Sequence, residues 1–486
     1  MGAPFGANNS AAAVSVREMA ARREERAAEQ RTLLDRYGEG ACIVCLNMNI
    51  AGPVKRSGLI DRAFIMAVSA LENAFSELSG GLSSVREARF INRKTGIEAL
   101  FALRADAEKV KERCVRIEEE HPLGRLLDID VIAENGEKLS RIAPRKCLIC
   151  GENAAVCARS RAHSVAELQK KTAGIIGAAL AAEVTRLASD ALLCEVHVTP
   201  KPGLVDEMNS GANPDMDIAL FERSVDSLRP YFTGIAETVL AFAGELQDDA
   251  NGEAGKALAA ELRRLGIAAE QGMLRATGGV NTHRGAVYSM GLLAAAYIYN
   301  VVSAPLTAED GPLSALFADD AENCARTAGK LAALLGDGSF PDSKGAAVRK
   351  RYGVGGAVEQ AFAGFPLALL AKKAKLDYDD TVPCDGSDTL GWAYALLGIM
   401  AQLDDNNALR RGGEEGAAYV KTTAGELFAA APALPRGELR RRLIGLDSAL
   451  TEKNISCGGA ADMLAAGIFL WEIEQEKYHA CGLFEN

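Results

Sequence analysis

From Val165 to Leu193 the apolar residues Val165, Leu168, Ile175, Ile176, Leu180, Val184 and Leu187 recur at the spacing of one helical face. Nearly everything after them reads the same way, helix following helix with Gly-rich breaks and no clear internal repeat. Aromatic residues make up only 6% of the chain while Ala and Gly are abundant, a balance that favours closely packed helices over a β-sandwich. The first third differs. Residues 16–37 read as a charged, solvated helix ended by Gly38, and an apolar helix is expected over 60–78. Ala41 to Asn47 is a short apolar run of β type leading into a Gly-Pro turn, and Leu126 to Ile132 alternates as a strand does. The expected fold is therefore mostly α, with an N-terminal α+β domain followed by a larger all-α domain.

Charge follows the same division. The stretch through Arg161 carries a net +3 and the remainder −14, which gives the chain's −11 and suggests two modules with different partners. Residues 1–16 are small and polar and are expected to be disordered, residues 17–170 to form the first domain and 171–486 the second. Basic residues do not interleave with aromatics, so nucleic acid is disfavoured as a partner. No secretory pattern opens the chain, which points to the cytoplasm. The longest apolar stretch, 286–302, falls short of the ~20 residues a bilayer needs, so a buried helix is expected and no membrane. Eleven cysteines in such a chain read as reduced thiols or metal ligands.

The densest run of unusual residues is 194–217, CEVHVTPKPGLVDEMNSGANPDMD. Pro200, Pro202 and Gly203 impose a shaped loop around Lys201, and Asp206, Asp215 and Asp217 follow within it. Three converging carboxylates need a hard cation such as Mg²⁺ among them. On spacing alone a solvated polar turn is the commoner outcome.

Asp128 and Asp130 share one strand face because side-chain direction repeats every two residues, a geometry suited to clamping Mg²⁺ on a polyphosphate. Arg125 lies just upstream, and Lys55 and Arg56 precede an apolar helix start where phosphate could be held. Cys147, Cys150, Cys157 and His163 have the ligand types of a compact Cys₃His zinc site, with a loop of free thiols as the alternative. Arg159 and Arg161 beside them suit substrate or carrier contact.

Further along, Gly278 to Gly285 (GGVNTHRG) opens onto an apolar helix, presenting Gly279, Asn281, His283 and Arg284 at an anion-friendly start. A second Gly-basic loop gathers Arg349, Lys350, Arg351 and Glu359. Asp405 to Asn407, Arg411 to Gly413, and Ser456 to Asp462 complete the series. Acidic loops for metal and Gly-basic loops for phosphate together describe a nucleoside triphosphate site on a helical scaffold.

The ordered motifs PKPGLVD, GANPDMD, TGGVNTHRGA, RYGVGG with GFP, and NISCGGAADML resemble the triphosphoribosyl-dephospho-CoA synthase family across residues 175–480. LNMNIAGPVK, HPLGRLLDIDVI and RKCLICGENAAVCARSRAHS resemble the apo-citrate lyase phosphoribosyl-dephospho-CoA transferase family across 17–170, so the chain resembles a fusion of the two. Ala51, Asn213, Cys457 and Ala460 depart from the families' usual Pro, His, Pro and Ser.

The resemblance implies a bifunctional transferase with a nucleotidyltransferase-type N-terminal domain. The second domain would join ATP to 3′-dephospho-CoA and release adenine. The first would attach the product to a serine of the apo-carrier subunit of citrate lyase and release pyrophosphate. It further implies that Asp206, Asp215, Asp217 and Asp462 share metal and base duties, with Mg²⁺ on Asp215, Asp217 and Asp462. Lys201, Gly279, Asn281, His283, Arg284, Arg351 and Glu359 would bind substrate. In the first domain Asp128 and Asp130 would hold Mg²⁺, with Lys55, Arg125, Arg159 and Arg161 on the polyphosphate or the acidic carrier. The rival readings are the same chemistry for the carrier of malonate decarboxylase, and a non-catalytic helical module that binds ATP or CoA.

Overall fold

The computed structural model describes residues 13–141, 144–250, 252–304, 306, 309, 320–336, 351–382 and 389–481. Residues 1–12 of the expected disordered start, and Arg349 and Lys350, lie outside the described residues. The chain divides into two compact units, Met1–Leu180 with Val301–Ala318 and Gln475–Asn486, and Ala181–Asn300 with Asp319–Glu474.

The first unit is built on an antiparallel four-stranded sheet of order β2-β3-β1-β4, from β1 (Cys42–Met48), β2 (Val85–Arg93), β3 (Gly96–Leu103) and β4 (Leu127–Ile132). The central strands β1 and β3 are the most buried, as the apolar run at Ala41 to Asn47 requires. Helix α1 (Val16–Tyr37) begins in a capping box of Ser15 with Glu18, and its Leu33 packs onto Ile43, Cys45, Leu100, Ala102 and Ile132. On the opposite face Phe75 of α2 (Gly58–Ser76) meets Phe101 edge-on at 5.4 Å. Helix α3 (Ala107–Glu120) starts on the Asp106 cap and packs beside β4. The expectation that α1 presents only a solvated face is corrected at Arg22. This guanidinium is buried and pairs with buried Glu98 of β3 at 2.9 Å, because a charge removed from water needs a partner of opposite sign.

The second unit is helical throughout its described residues. Its elements are α5 (Val165–His197, which begins before the division), α6 (Ile218–Asp249), α7 (Glu253–Ala276), α8 (Arg284–Ser303), α9 (Asp320–Leu335) and α10 (Gly356–Phe362). They continue with α11 (Pro366–Thr381), α12 (Leu390–Gln402), α13 (Asn406–Ala430), α14 (Arg436–Glu452) and α15 (Gly458–Cys481). Helix α12 is apolar on every side and is buried from Leu390 to Met400, the pattern of a core helix. Among the described residues α8 alone is long and apolar enough to cross a membrane, but 67% of its most apolar window is buried inside the protein. The abundance of Gly has a packing consequence, since a Cβ on Gly467 of α15 would stand 2.8 Å from the carbonyl oxygen of Ala368 in α11.

Candidate active sites

The second unit holds a cavity of about 970 Å³ whose wall includes Glu195, Lys201, Asn213, Asp215, the Gly278 to Gly285 loop, Asp405, Arg410, Arg411 and Asp462. Five of the Gly- or Pro-rich loops thus meet on one hollow, since Gly355 and Gly356 line it as well. Gly278 and Gly279 have φ of +64° and +91°, conformations that a side chain disfavours, and they turn the chain from α7 into the start of α8.

The centre of the wall is a buried group of carboxylates that the spacing of Asp206, Asp215 and Asp217 does not reveal. Lys201 is almost fully buried, with its Nζ donating to Glu195 Oε1 at 2.7 Å and to the Glu195 carbonyl at 2.8 Å. Asp405 caps α13, accepting from the N–H groups of Asn407 at 2.7 Å and Ala408 at 3.1 Å and from Ala460 at 2.9 Å. Burial nonetheless raises its carboxyl above the usual range, against those N–H bonds. Asp462 is driven well above that range, first by burial and then by the nearby charges of Glu195 and Asp405. Its carboxylate occupies the space a Cβ on Gly285 would need, so the loop residue must be glycine for the two to lie together.

His283 is buried in the same wall. Its Nδ1 lies 2.7 Å from Ser224 Oγ, which accepts from Thr282 Oγ1 at 2.7 Å, while its Nε2 has no partner among the described residues. Burial, and then the Lys201 charge, push its pKa down to about 3, so the ring is neutral at physiological pH. A neutral ring contributes a hydrogen bond to substrate and not a positive charge.

Several expected positions fall elsewhere for identifiable reasons. Asp206 is consumed by its own loop, taking N–H bonds from Lys201 at 2.8 Å, Met208 at 2.7 Å and Asn209 at 3.1 Å. Asp217 is the N-cap of α6, with Leu220 N–H at 2.7 Å. Lys201, expected on the triphosphate, is held in its buried ion pair. Arg284 pairs with Glu270, Arg351 stacks over Tyr352 at 5.0 Å, and Glu359 accepts from Gly355 N–H at 3.2 Å. Neither Arg351 nor Glu359 lines the cavity, whereas Gly279, Asn281, Arg284 and Asp215 do, with Asp215 exposed. Asn213 is buried and links Arg411, 2.7 Å from its Oδ1, to Ser456 Oγ, 3.2 Å from its Nδ2.

The first unit holds a smaller cavity of about 330 Å³ on the sheet face that α1 covers. Arg23 and Arg26 of α1, Asn47 and Asn49, Lys55, Glu98, Asp128 and Arg145 contribute to it. Asn47 is paired across the strands with Asp128, and Cys45 with Asp130. Asp128 is half exposed and 3.4 Å from Arg145 Nη2, but Asp130 pairs with Lys138 at 2.6 Å and does not line the cavity. The expected two-carboxylate clamp therefore has one member in the cavity. Lys55 Nζ donates to the Ile50 carbonyl at 2.5 Å, and burial followed by the Arg23 charge lowers its pKa. Arg56 forms a buried two-bond pair with Asp61 at 2.6 and 2.7 Å and is removed from phosphate contact. Arg125 lies outside the cavity, bonded to the carbonyls of Lys146 and Cys147, and Arg159 and Arg161 are exposed at the end of α4 (Ala154–Ser160). The arginines Arg23, Arg26 and Arg145 are the residues that spacing does not single out.

Beside this cavity the four side chains Cys147, Cys150, Cys157 and His163 bring their ligand atoms within 4.8 Å of one another. Among the described residues this is the one set of three or more His, Cys, Asp or Glu side chains that converges so closely, so the acidic loop residues do not form a ready cation cage.

Two family models divide the chain. Residues 14–179 match the model described as apo-citrate lyase phosphoribosyl-dephospho-CoA transferase, and residues 181–480 match ATP:dephospho-CoA triphosphoribosyl transferase. The chain is 32% identical over 473 residues to "Protein CitXG" of Haemophilus influenzae, covering 94% of this chain and 96% of that protein. It is 30% identical over 454 residues to "Protein CitXG" of Leuconostoc mesenteroides subsp. cremoris, with 88% and 91% covered. The C-terminal part is 40% identical over 292 residues to a "Probable 2-(5''-triphosphoribosyl)-3'-dephosphocoenzyme-A synthase" of Pseudomonas putida, covering 60% of this chain and 94% of that protein.

Proposed function

Since the chain belongs to the family of fusions that join an apo-citrate lyase phosphoribosyl-dephospho-CoA transferase to an ATP:dephospho-CoA triphosphoribosyl transferase, we propose how its two cavities divide the work. The protein is a bifunctional transferase that makes and attaches the prosthetic group of citrate lyase. Its substrates are ATP, 3′-dephospho-CoA and the apo-carrier. We assign synthesis to the cavity of the second unit and attachment to that of the first, whose sheet we read as nucleotidyltransferase-type, and we place the protein in the cytoplasm.

In the larger cavity the ribose 2′-hydroxyl of dephospho-CoA attacks C1′ of ATP. The new C1′–O bond replaces the bond to N9, the hydroxyl proton passes to a base, and adenine leaves with the electron pair and takes up a proton from water, so that neutral adenine is released. Asp462 suits that base. A carboxyl whose pKa is raised by desolvation and by neighbouring carboxylates binds a proton more strongly than an ordinary aspartate. The Glu195 carboxylate, held in place by its ion pair with Lys201, adds to the field around Asp462, and the carboxylates of this wall favour the positive charge that develops at C1′. Arg410, Arg411 and the N–H groups at the start of α8 face the triphosphate. Mg²⁺ carried by the phosphates would be met by Asp215 at the exposed rim, and supplies charge neutralisation there. Asp206 and Asp217 support the loop that presents Asp215.

In the smaller cavity a carrier serine attacks the phosphorus nearest the new ribose. The α–β P–O bond breaks, pyrophosphate leaves, and the serine proton is lost to water. Arg23, Arg26, Lys55 and Arg145 surround the leaving pyrophosphate, and Asp128 is the side chain available to Mg²⁺.

The observation that supports this reading most directly is the placement of half-buried Asp462 with buried Glu195 and Asp405 on the wall of the cavity formed by the family's loops. Mixing the protein with ATP, Mg²⁺ and dephospho-CoA releases adenine, seen by chromatography. Formation of ADP or AMP in its place would overturn the reading. Adding apo-carrier of citrate lyase then raises the carrier mass by the prosthetic group, and preferential loading of a malonate decarboxylase carrier would overturn the carrier assignment.

A further inference from the structure

The segment 144–163 of the first unit lacks an apolar reason to hold its shape. Helix α4 buries none of its residues, Ile149 is 38% exposed and Val156 60% exposed. Seven residues of helix are far below the length that is stable alone in water. The fold is nevertheless specific. Cys147 N–H donates to the Glu152 carbonyl at 2.5 Å, Ala154 N–H to the Arg145 carbonyl at 2.9 Å, and Lys146 bridges to Asn153, which closes a small hairpin.

The hairpin has the form of a metal-binding turn. Cys147 and Cys150 are separated by two residues, Ile149 N–H points at Cys147 Sγ at 3.4 Å, and Gly151 follows with φ +77°. Helix α4 then returns Cys157, and the left-handed Arg161 with Ala162 N–H on the Cys157 carbonyl turns the chain so that His163 faces back. Cys150 Sγ lies 3.5 Å from Cys157 Sγ and 3.3 Å from His163 Nε2. A tetrahedral ion with arms of ~2.3 Å to sulfur and ~2.0 Å to nitrogen sets such ligands roughly 3.5–3.8 Å apart. A disulfide would need about 2.05 Å. The separations of 3.5 and 3.3 Å lie within a few tenths of an ångström of the tetrahedral range and far outside a disulfide.

We infer that Cys147, Cys150, Cys157 and His163 bind a structural zinc ion, which fixes the hairpin that carries Arg145 into the transferase cavity. The four protein ligands close the coordination shell, so the ion serves structure and leaves no position for substrate. The connection to the cavity is short. Arg145 starts the hairpin and reaches Glu118 and Asp128, while Arg125 Nη2 clamps the carbonyls of Lys146 at 2.7 Å and Cys147 at 3.0 Å. Loss of the ion frees a segment in which Cys147 is the one buried side chain, and Arg145 with it. Metal content is independent of the reaction assigned to this unit, whereas the consequence for transfer rests on that assignment.

The test uses the full chain purified without chelator. Elemental analysis gives stoichiometric zinc for the wild type and for Cys194→Ser, a cysteine outside the quartet, and loss of zinc for Cys150→Ser and Cys157→Ser. Replacement with Co²⁺ gives sulfur-to-metal charge-transfer absorption and the intense visible bands of a tetrahedral site. Carrier loading from enzymatically prepared triphosphoribosyl-dephospho-CoA falls about tenfold or more in the Cys variants, the scale of a lost supporting shell, while adenine release stays within about twofold. Wild-type protein that holds no stoichiometric zinc after zinc addition and desalting, or that shows octahedral cobalt bands, overturns the site. A disulfide among Cys147, Cys150 and Cys157 found by mass mapping of the native protein overturns it as well. Zinc loss with undiminished loading overturns the positioning of Arg145 alone, and failure of the wild type to load carrier tells against the transferase assignment and leaves the metal result standing.

Discussion

Glu72 allows the energetics of the first unit to be tested apart from its chemistry. It lies on α2, is 4% exposed, and both carboxyl oxygens lack a hydrogen-bond partner among the described residues. Burial alone raises its pKa from 4.5 to about 8. The folded state then holds a proton that the unfolded chain releases above pH 4.5. Stability is therefore complete below that pH and erodes as pH rises through about 8. At pH 7 the unfolded carboxyl is fully ionised and the folded one mostly protonated, a difference of about 3 kcal/mol. Glu72→Gln removes the titration while keeping shape and one neutral donor group. Its stability relative to wild type should improve by about 3 kcal/mol between pH 4.5 and pH 7, which corresponds to a relative rise in Tm of ~6–12 °C for a domain of this size. Calorimetric scans at four pH values would follow the transition of this unit, with carrier loading at pH 7 as a control expected to be unchanged. A wild-type-to-variant difference that stays flat between pH 4.5 and pH 8 would refute the reasoning, since it would mean that Glu72 finds a partner or water and titrates normally.

The larger cavity gives three further expectations. Asp462→Asn should lower adenine release by about 10²-fold or more, the scale of a lost base, while loading of carrier from supplied intermediate persists. Gly285→Ala should have the same selectivity, because its Cβ must displace the Asp462 carboxylate, and adenine release at wild-type rate would place the base elsewhere. His283, with its pKa pushed down to about 3, should leave no break near pH 6.5 in the adenine-release profile. Burying it neutral makes stability fall as pH drops below 6.5 towards 3, so His283→Asn should flatten the acid side of the unfolding curve for the second unit. In the first unit Arg145→Ala should reduce loading by about tenfold with adenine release unchanged, and an equal fall in both would show a global defect.

The architecture was legible where one physical rule dominates. Helical spacing after Val165, the strand alternation at Leu126 to Ile132, and the stop at Gly38 each depend on local geometry, and each element forms there. Strands β2 and β3 are not legible in the sequence because Val85 to Leu103 mixes charges with apolar residues. Those charges find partners only after the sheet assembles, as Glu98 does with Arg22 and Glu87 with Arg36. A sequence window cannot anticipate a partner 76 residues away.

The sites show the same limit from the other side. Acidic residues in a Pro- and Gly-rich loop suggest cation ligands, yet two of the three loop aspartates are occupied by the backbone, because a turn that tight needs acceptors for its own N–H groups. What sets the carboxyls of the cavity wall apart is desolvation, which raises the pKa of Asp405 and Asp462. Glu195 stands in a helix, Asp405 in a cap and Asp462 in an apolar run, and each alone looks structural. Only the fold brings them to one wall, where the charge of one raises the pKa of another. The Cys-His quartet is the converse case, since its four ligands lie within a short stretch of chain and their spacing already implies the turn. The readable site is the local one, and the site to which we assign the glycosyl transfer is assembled from segments that have no reason, taken singly, to be acidic.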